Sequence, residues 1–151
     1  MELYPLLVQL ESEVVEEAAT VLRRSHVTHY EVVGSTLTHR RLEDLYGVVA
    51  EAVRSSDLAT IGRYAESLAR ARWEEGFGIA EVQDAFNALE QALWQRLVVA
   101  LPPQDLPGAL ATLSSVLGFG KDSLCRSYVA LATQRRVPSL DVGALVAGAG
   151  S

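Results

Sequence analysis

Three histidines are the residues with the most obvious potential for chemistry. His26 and His29 stand three positions apart, which would place both imidazoles on one face of a helix, and His39 follows them. A metal site needs more than this pair: the glutamate of a His-Glu-x-x-His motif is missing, and no Glu-x-x-His spacing occurs in the chain. We therefore predict no metal centre, with the histidines exposed or capping.

Haem ligation is the next possibility, because a helical chain of this size could be a globin. A globin needs an axial ligand well into the chain, yet every histidine lies before residue 40, and Cys125 is the only sulfur ligand after Met1. We therefore predict no cofactor. A small-ligand or tetrapyrrole-binding globin relative remains the alternative. The aromatics that could line a pocket, although aromatics at helical spacing usually build a core, are Trp73, Phe77, Phe86 and Trp94.

No pattern of catalytic residues emerges elsewhere. The segment around Gly118, Gly120 and Lys121 superficially resembles a phosphate loop, but it lacks the Walker spacing and continues a helical pattern. The pairs Glu16-Glu17 and Glu74-Glu75 are adjacent in sequence, and no base stands beside a nucleophilic serine or cysteine. The sequence therefore predicts a protein that is not an enzyme.

Composition excludes several other classes of protein. The chain has 151 residues, 49% of them hydrophobic, which suits one compact domain. Its net charge of −6 argues against a nucleic-acid partner, and the longest interior apolar run, residues 97–101, is too short to cross a membrane. A single cysteine, Cys125, cannot form an internal disulfide bond, so we expect a reducing, cytoplasmic setting.

Apolar residues recur at steps of three and four along most of the chain, which predicts an all-α fold of about five to six helices. Gly118 and Gly120 indicate either a kink in the last helix or the close approach of another backbone. We expect one domain over residues 1–136, then a flexible tail or linker over 137–151. The predicted helices cover residues 5–24, 36 or 38 to 54, 58–75, 79–101 and 105–136, with a connector over 25–35.

The fourth predicted helix has an apolar face wider than one neighbouring helix needs. A second apolar line through Trp94 and Val98 runs beside the main stripe. Such a surplus is typical of a helix that is either central in the fold or shared between two subunits. We predict a homodimer that forms through this helix and the last one. The expected interface residues are Phe86, Leu89, Leu93, Trp94, Leu97 and Val98.

Residues 65–82 carry a family resemblance. An Arg- and Ala-rich helix containing Arg72 and Trp73 ends at Gly76-Phe77, and a short turn leads into a long helix that begins near Val82. This arrangement resembles the amino-terminal sensor domain of RsbR/RsbRD-type regulators. The resemblance implies a globin-like helical fold without haem, acting as a dimeric signal-input module of stress-response regulators with a regulatory protein partner. Arg72, Trp73, Gly76, Phe77 and Val82 are then the candidate pocket or helix-turn motif.

Overall fold

The computed structural model describes residues 2–24 and 34–136, which form five α-helices and no strand. The all-α prediction is therefore confirmed for this part of the chain, and the helix bounds lie close to the predicted ones. His26, His29 and the predicted tail over 137–151 lie outside the described residues. The helices are α1 (Leu3–Arg24), α2 (Ser35–Ser55), α3 (Ala59–Glu74), α4 (Ile79–Ala100) and α5 (Leu106–Arg136).

Two helix pairings organise the bundle. α1 packs along both α2 and α4, while α3 packs most extensively against α5. α2 also reaches α3, α4 and α5, so it joins the two pairings into one core. The apolar face of every helix contributes side chains to a single buried cluster, as the periodicity of three and four predicts. Within the described residues, no helix is long and apolar enough to cross a membrane.

A buried hydrogen bond fixes α1 against α2. The hydroxyl of Tyr46 on α2 donates to the backbone carbonyl of Leu7 on α1 over 2.5 Å, and both side chains are buried. Burial raises the pKa of the Tyr46 hydroxyl above its ordinary value, and the negative charge of Glu11 adds to this. A buried hydroxyl must find a partner, so the bond specifies how the two helices face each other.

Charged side chains link α4 to its neighbours at the surface. Arg96 pairs with Glu13 at 3.2 Å and also with Glu17, both on α1. Lys121 on α5 lies 3.1 Å from Glu90 on α4. Partly exposed ion pairs of this kind contribute about 0–1 kcal/mol each. These ion pairs therefore help to orient α4 but add little to the stability of the bundle.

Glycines allow α5 to approach its neighbours closely. The helix continues without interruption through Gly118 and Gly120. A Cβ atom at Gly120 would lie 3.1 Å from both Ile61 Cδ1 and Phe86 Cε1, and one at Gly62 would lie 2.9 Å from Phe119 Cε1. The predicted close approach is thus present at Gly120, but the neighbouring atoms belong to side chains of α3 and α4 rather than to a backbone.

We predict opposite effects of alanine at two helical glycines. Gly120→Ala gains helix propensity but forces Ile61 and Phe86 apart, so the free energy of unfolding should fall by up to about 2 kcal/mol. Gly47→Ala is the matched control: no atom lies within 4 Å of its added Cβ, and stability should rise by about 0.5–1 kcal/mol. Urea unfolding measures both; equal stabilisation by the two changes would contradict the packing argument.

Candidate functional site

The turn between α3 and α4 is built on one left-handed glycine. Gly76 has a φ of +89°, and its N–H donates to the carbonyl of Trp73 over 3.1 Å while that of Phe77 donates to Arg72 over 2.9 Å. These two bonds form a Schellman motif, which satisfies carbonyl groups that the helix end leaves free. The predicted role of Gly76 as helix terminator is confirmed, and Phe77 folds back into the core.

The first turn of α4 is fixed immediately after this motif. The carboxylate of Glu81 accepts a hydrogen bond from the Gly78 N–H over 3.0 Å, and the Glu81 N–H donates to the Gly78 carbonyl over 3.1 Å. An acidic residue in the first turn also interacts favourably with the helix dipole. Val82, one residue further, is buried. Only Phe77 and Gly78 therefore separate the α3 cap from the start of α4.

Tyr128 on α5 holds the turn from the other side. Its hydroxyl donates to the carbonyl of Phe77 over 3.2 Å, and its ring packs edge-on against Trp73 with centroids 5.7 Å apart. Edge-to-face aromatic pairs are favourable because the positive ring edge meets the negative ring face. Burial raises the pKa of Tyr128 to about 12. The turn is thus attached to α5 as well as to the two helices that it connects.

Glu75, the last residue before Gly76, joins two arginines. One carboxylate oxygen lies 2.9 Å from Arg41 Nη2 and the other lies 2.8 Å from Arg72 Nη1. The arginine side chains are only 20% and 14% exposed. Charge-assisted bonds of this kind are among the stronger polar interactions in proteins. The prediction from sequence included Arg72 but missed the ion pairs with Glu75. The Arg72–Glu75 spacing of three residues could have indicated one of them, whereas no local pattern connects Glu75 to Arg41, 34 residues away.

Beside these arginines lies a small cavity of about 20 Å³. Its walls are mostly apolar and come from α1, α2, α3 and α4, with Leu42, Leu68 and Phe86 among them. Arg41, Arg72, Tyr64 and Thr38 supply its polar groups, and the predicted motif residue Val82 also lines it.

One polar group of the cavity lacks a hydrogen-bond partner. Arg41 Nη1 is buried and has no hydrogen-bond partner in the part of the chain that the structure describes. Burial raises the pKa of Tyr64 to about 12, against the opposing effect of the Arg72 charge. Thr38 already donates its proton to the Gly34 carbonyl over 3.0 Å. The cavity is therefore lined by side chains that can donate hydrogen bonds.

The structure divides the predicted interface residues into two groups. Trp94 and Val98 are 40% and 58% exposed. The other four face the core of their own chain and are inaccessible to a second subunit, which corrects the predicted set. These buried residues are Phe86, Leu89, Leu93 and Leu97.

His39 is the one predicted histidine within the described residues. Its Nδ1 lies 3.8 Å from Glu16 on α1 and its Nε2 lies 3.5 Å from Glu43, one turn further along α2. In the described ranges, no group of three or more histidine, cysteine, aspartate or glutamate side chains could hold a metal ion. His39 thus stands between two carboxylates at the boundary of α1 and α2.

The fold and the site define an all-α domain organised around the α3–α4 turn. Residues 9–136 match the family described as the RsbT co-antagonist protein rsbRD N-terminal domain. The chain therefore belongs to this family, whose members are input domains of stressosome regulators. No curated protein sequence and no solved structure gives a significant match. The family resemblance seen in residues 65–82 is confirmed.

Gly76→Ala should destabilise the domain by about 1–2 kcal/mol, because a Cβ atom is disfavoured in the left-handed conformation. Gly76→Asn should cost less, since asparagine tolerates this region better than alanine does. Urea unfolding of the two variants and the parent protein measures the difference. Equal losses for Ala and Asn would show that the left-handed backbone is not the reason for glycine here.

The buried tyrosines should make the folded protein less stable at alkaline pH. A tyrosine whose pKa is about 12 when folded and about 10 when unfolded keeps its proton longer in the folded state. Between about pH 10 and 12 the folded state then binds more protons, so the free energy of unfolding must fall as the pH rises. Tyr64→Phe and Tyr128→Phe should each reduce the slope seen in urea unfolding across this range. Unchanged slopes would contradict the assignment.

Proposed function

We propose that the chain is a non-enzymatic, homodimeric input domain that acts in the cytoplasm and passes a signal to a regulatory partner of the RsbT type. The family match over residues 9–136 supports the regulatory role and the class of partner. The observation that carries the dimer is an uncharged surface shared by α4 and α5. The single cysteine, Cys125, supports a reducing compartment.

The α4 half of this surface contains the exposed apolar residues. Trp94 and Val98 lie one turn apart on the same face of the helix, and Val99 beside them is 86% exposed. Apart from Ala100, the other exposed side chains from the middle to the end of α4 are amides, so none of them carries a charge. They are Asn87, Gln91 and Gln95.

The α5 half is made of small residues. Positions 107–120 contain no charged residue at all, and Ser114 and Gly118 are exposed. α4 and α5 are joined by a short turn, and Lys121 contacts both Glu90 and Asn87. In an antiparallel pair aligned by these contacts, Gly118 lies near the level of Trp94 and Ser114 near that of Val98. We name this surface the neutral α4–α5 surface.

A second copy of the chain is the occupant that the charges favour. In a twofold dimer the same patch meets itself, so any net charge there would face a like charge. Each chain carries a net charge of −6, and the neutral α4–α5 surface is where two such chains can meet without that repulsion. A Cβ atom at Gly118 would contact nothing within 4 Å in its own chain, which leaves room there for a partner side chain.

A tetrapyrrole ligand is disfavoured by the size of the cavity. Typical small-molecule sites occupy about 300–1,000 Å³, whereas the cavity beside Arg41 and Arg72 occupies about 20 Å³. At this cavity, the alternative function as a globin relative is therefore limited to a much smaller ligand.

Trp94→Glu should convert the dimer to a monomer. It removes a large aromatic side chain and places two like charges across the proposed twofold axis, so the dissociation constant should rise at least tenfold, by about 1.4 kcal/mol or more. Analytical ultracentrifugation across a concentration series measures this, and circular dichroism checks that the helix content is retained.

The matched control for this experiment is Val129→Glu. Val129 is also exposed, but it lies about 16 Å along α5 from Gly118, the residue near the level of Trp94. This variant should remain as dimeric as the parent protein. A parent protein that is monomeric at tens of micromolar, or equal dissociation constants for both variants and the parent, would refute the proposed interface.

A further inference from the structure

The cavity between α2, α3 and α4 holds an excess of hydrogen-bond donors. Arg41 Nη1 is buried and unpartnered in the described part of the chain. Tyr64 lines the same cavity, and its hydroxyl can donate a hydrogen bond. Unsatisfied buried donors cost free energy, typically about 1–3 kcal/mol and more for charged groups. An occupant that accepts hydrogen bonds would remove this cost.

The charges around the cavity are also unequal. Arg41 and Arg72 each carry a positive charge, and both pair with the single carboxylate of Glu75. Within residues 2–24 and 34–136, no other carboxylate lies within ion-pair distance of either guanidinium. The negative charge of Asp44 on α2 raises the pKa of Tyr64. Among the described residues, two guanidinium groups thus share one carboxylate in a poorly solvated place, which is unfavourable.

Size and wall chemistry limit what could enter. About 20 Å³ accommodates one water-sized group or slightly more. The apolar side chains of Leu42, Leu68 and Phe86 cannot form hydrogen bonds with an occupant of the cavity. The surplus charge favours a monovalent anion over neutral water, and a guanidinium fits the planar oxygen pair of a carboxylate.

We propose that this cavity is a binding site for a small monovalent anion that enters it whole, such as one of the size of formate. Arg41 Nη1 and the Tyr64 hydroxyl donate hydrogen bonds to it, while Arg72 and Glu75 hold the Arg41 guanidinium in place. The site lies where α1, α2 and α3 meet the first turns of α4, and it does not depend on the proposed dimer. Binding of the anion and self-association are measured separately, so either can fail alone.

The test uses sodium formate as the probe and sodium gluconate at equal ionic strength as a carboxylate that is too large to enter. Formate should raise the thermal midpoint of the chain in a saturable way, and gluconate should not. Arg41→Gln should weaken formate binding by about 10- to 100-fold, since a charge-assisted hydrogen bond is lost. Equal effects of formate and gluconate on the parent protein would overturn the proposal.

Two further variants separate binding from folding. Arg96→Gln removes another arginine that bridges two glutamates, but on the α1 side of α4, and it should bind formate like the parent. Tyr64→Phe retains the ring and should weaken formate binding several-fold, which keeps the test available if Arg41→Gln does not fold. Formate affinity that is unchanged in Tyr64→Phe, or lowered equally in Arg96→Gln, would contradict the site.

A crystal soaked in sodium bromide locates the anion directly. We expect an anomalous peak within hydrogen-bond distance of Arg41 Nη1. Density in the cavity without anomalous signal would identify a structural water molecule there and would overturn the proposal.

Discussion

The left-handed conformation of Gly76 is the constraint on which the centre of this domain depends. It ends α3 and turns the chain so that α4 begins after only Phe77 and Gly78. The same turn brings Glu75 to Arg41 on α2 and the Phe77 carbonyl to Tyr128 on α5. A Schellman cap is local in sequence, yet here its two flanking residues join four helices. Three of those helices, α2, α3 and α4, also line the cavity beside Arg41, together with α1.

Most of the fold could be predicted from sequence because its signals are local. Apolar spacing places the helices, and Gly76 followed by Phe77 marks a helix end through backbone sterics and a short-range contact. Trp94 and Val98 could be recognised as surplus because they fall beside the main apolar stripe of α4. Each of these inferences needs only residues within two or three turns of one another.

The rest depends on contacts between distant segments. An apolar stripe predicts that one face of a helix is buried, but it does not indicate which neighbour covers that face. In this structure α4 contacts α1, α2 and α5 of its own chain. Phe86 and Leu93 are therefore core residues rather than interface residues. Likewise, the pairing of Arg41 with Glu75 and the fit of Gly120 against Ile61 arise only when the helices meet. The ion-pair partner of a long charged side chain cannot be identified from a periodic pattern in the sequence.

Both the cavity beside Arg41 and the neutral α4–α5 surface include residues of α4. α4 lines the donor-rich cavity with Val82 and Phe86 and carries Trp94 and Val98 further along. At a rise of 1.5 Å per residue, Val82 and Val98 are about 24 Å apart on a single α-helix. An anion in the cavity and a second chain on the neutral α4–α5 surface would then act on the same element. Any free-energy coupling between them must be reciprocal, so a dimer that binds the anion more tightly is one that the anion stabilises.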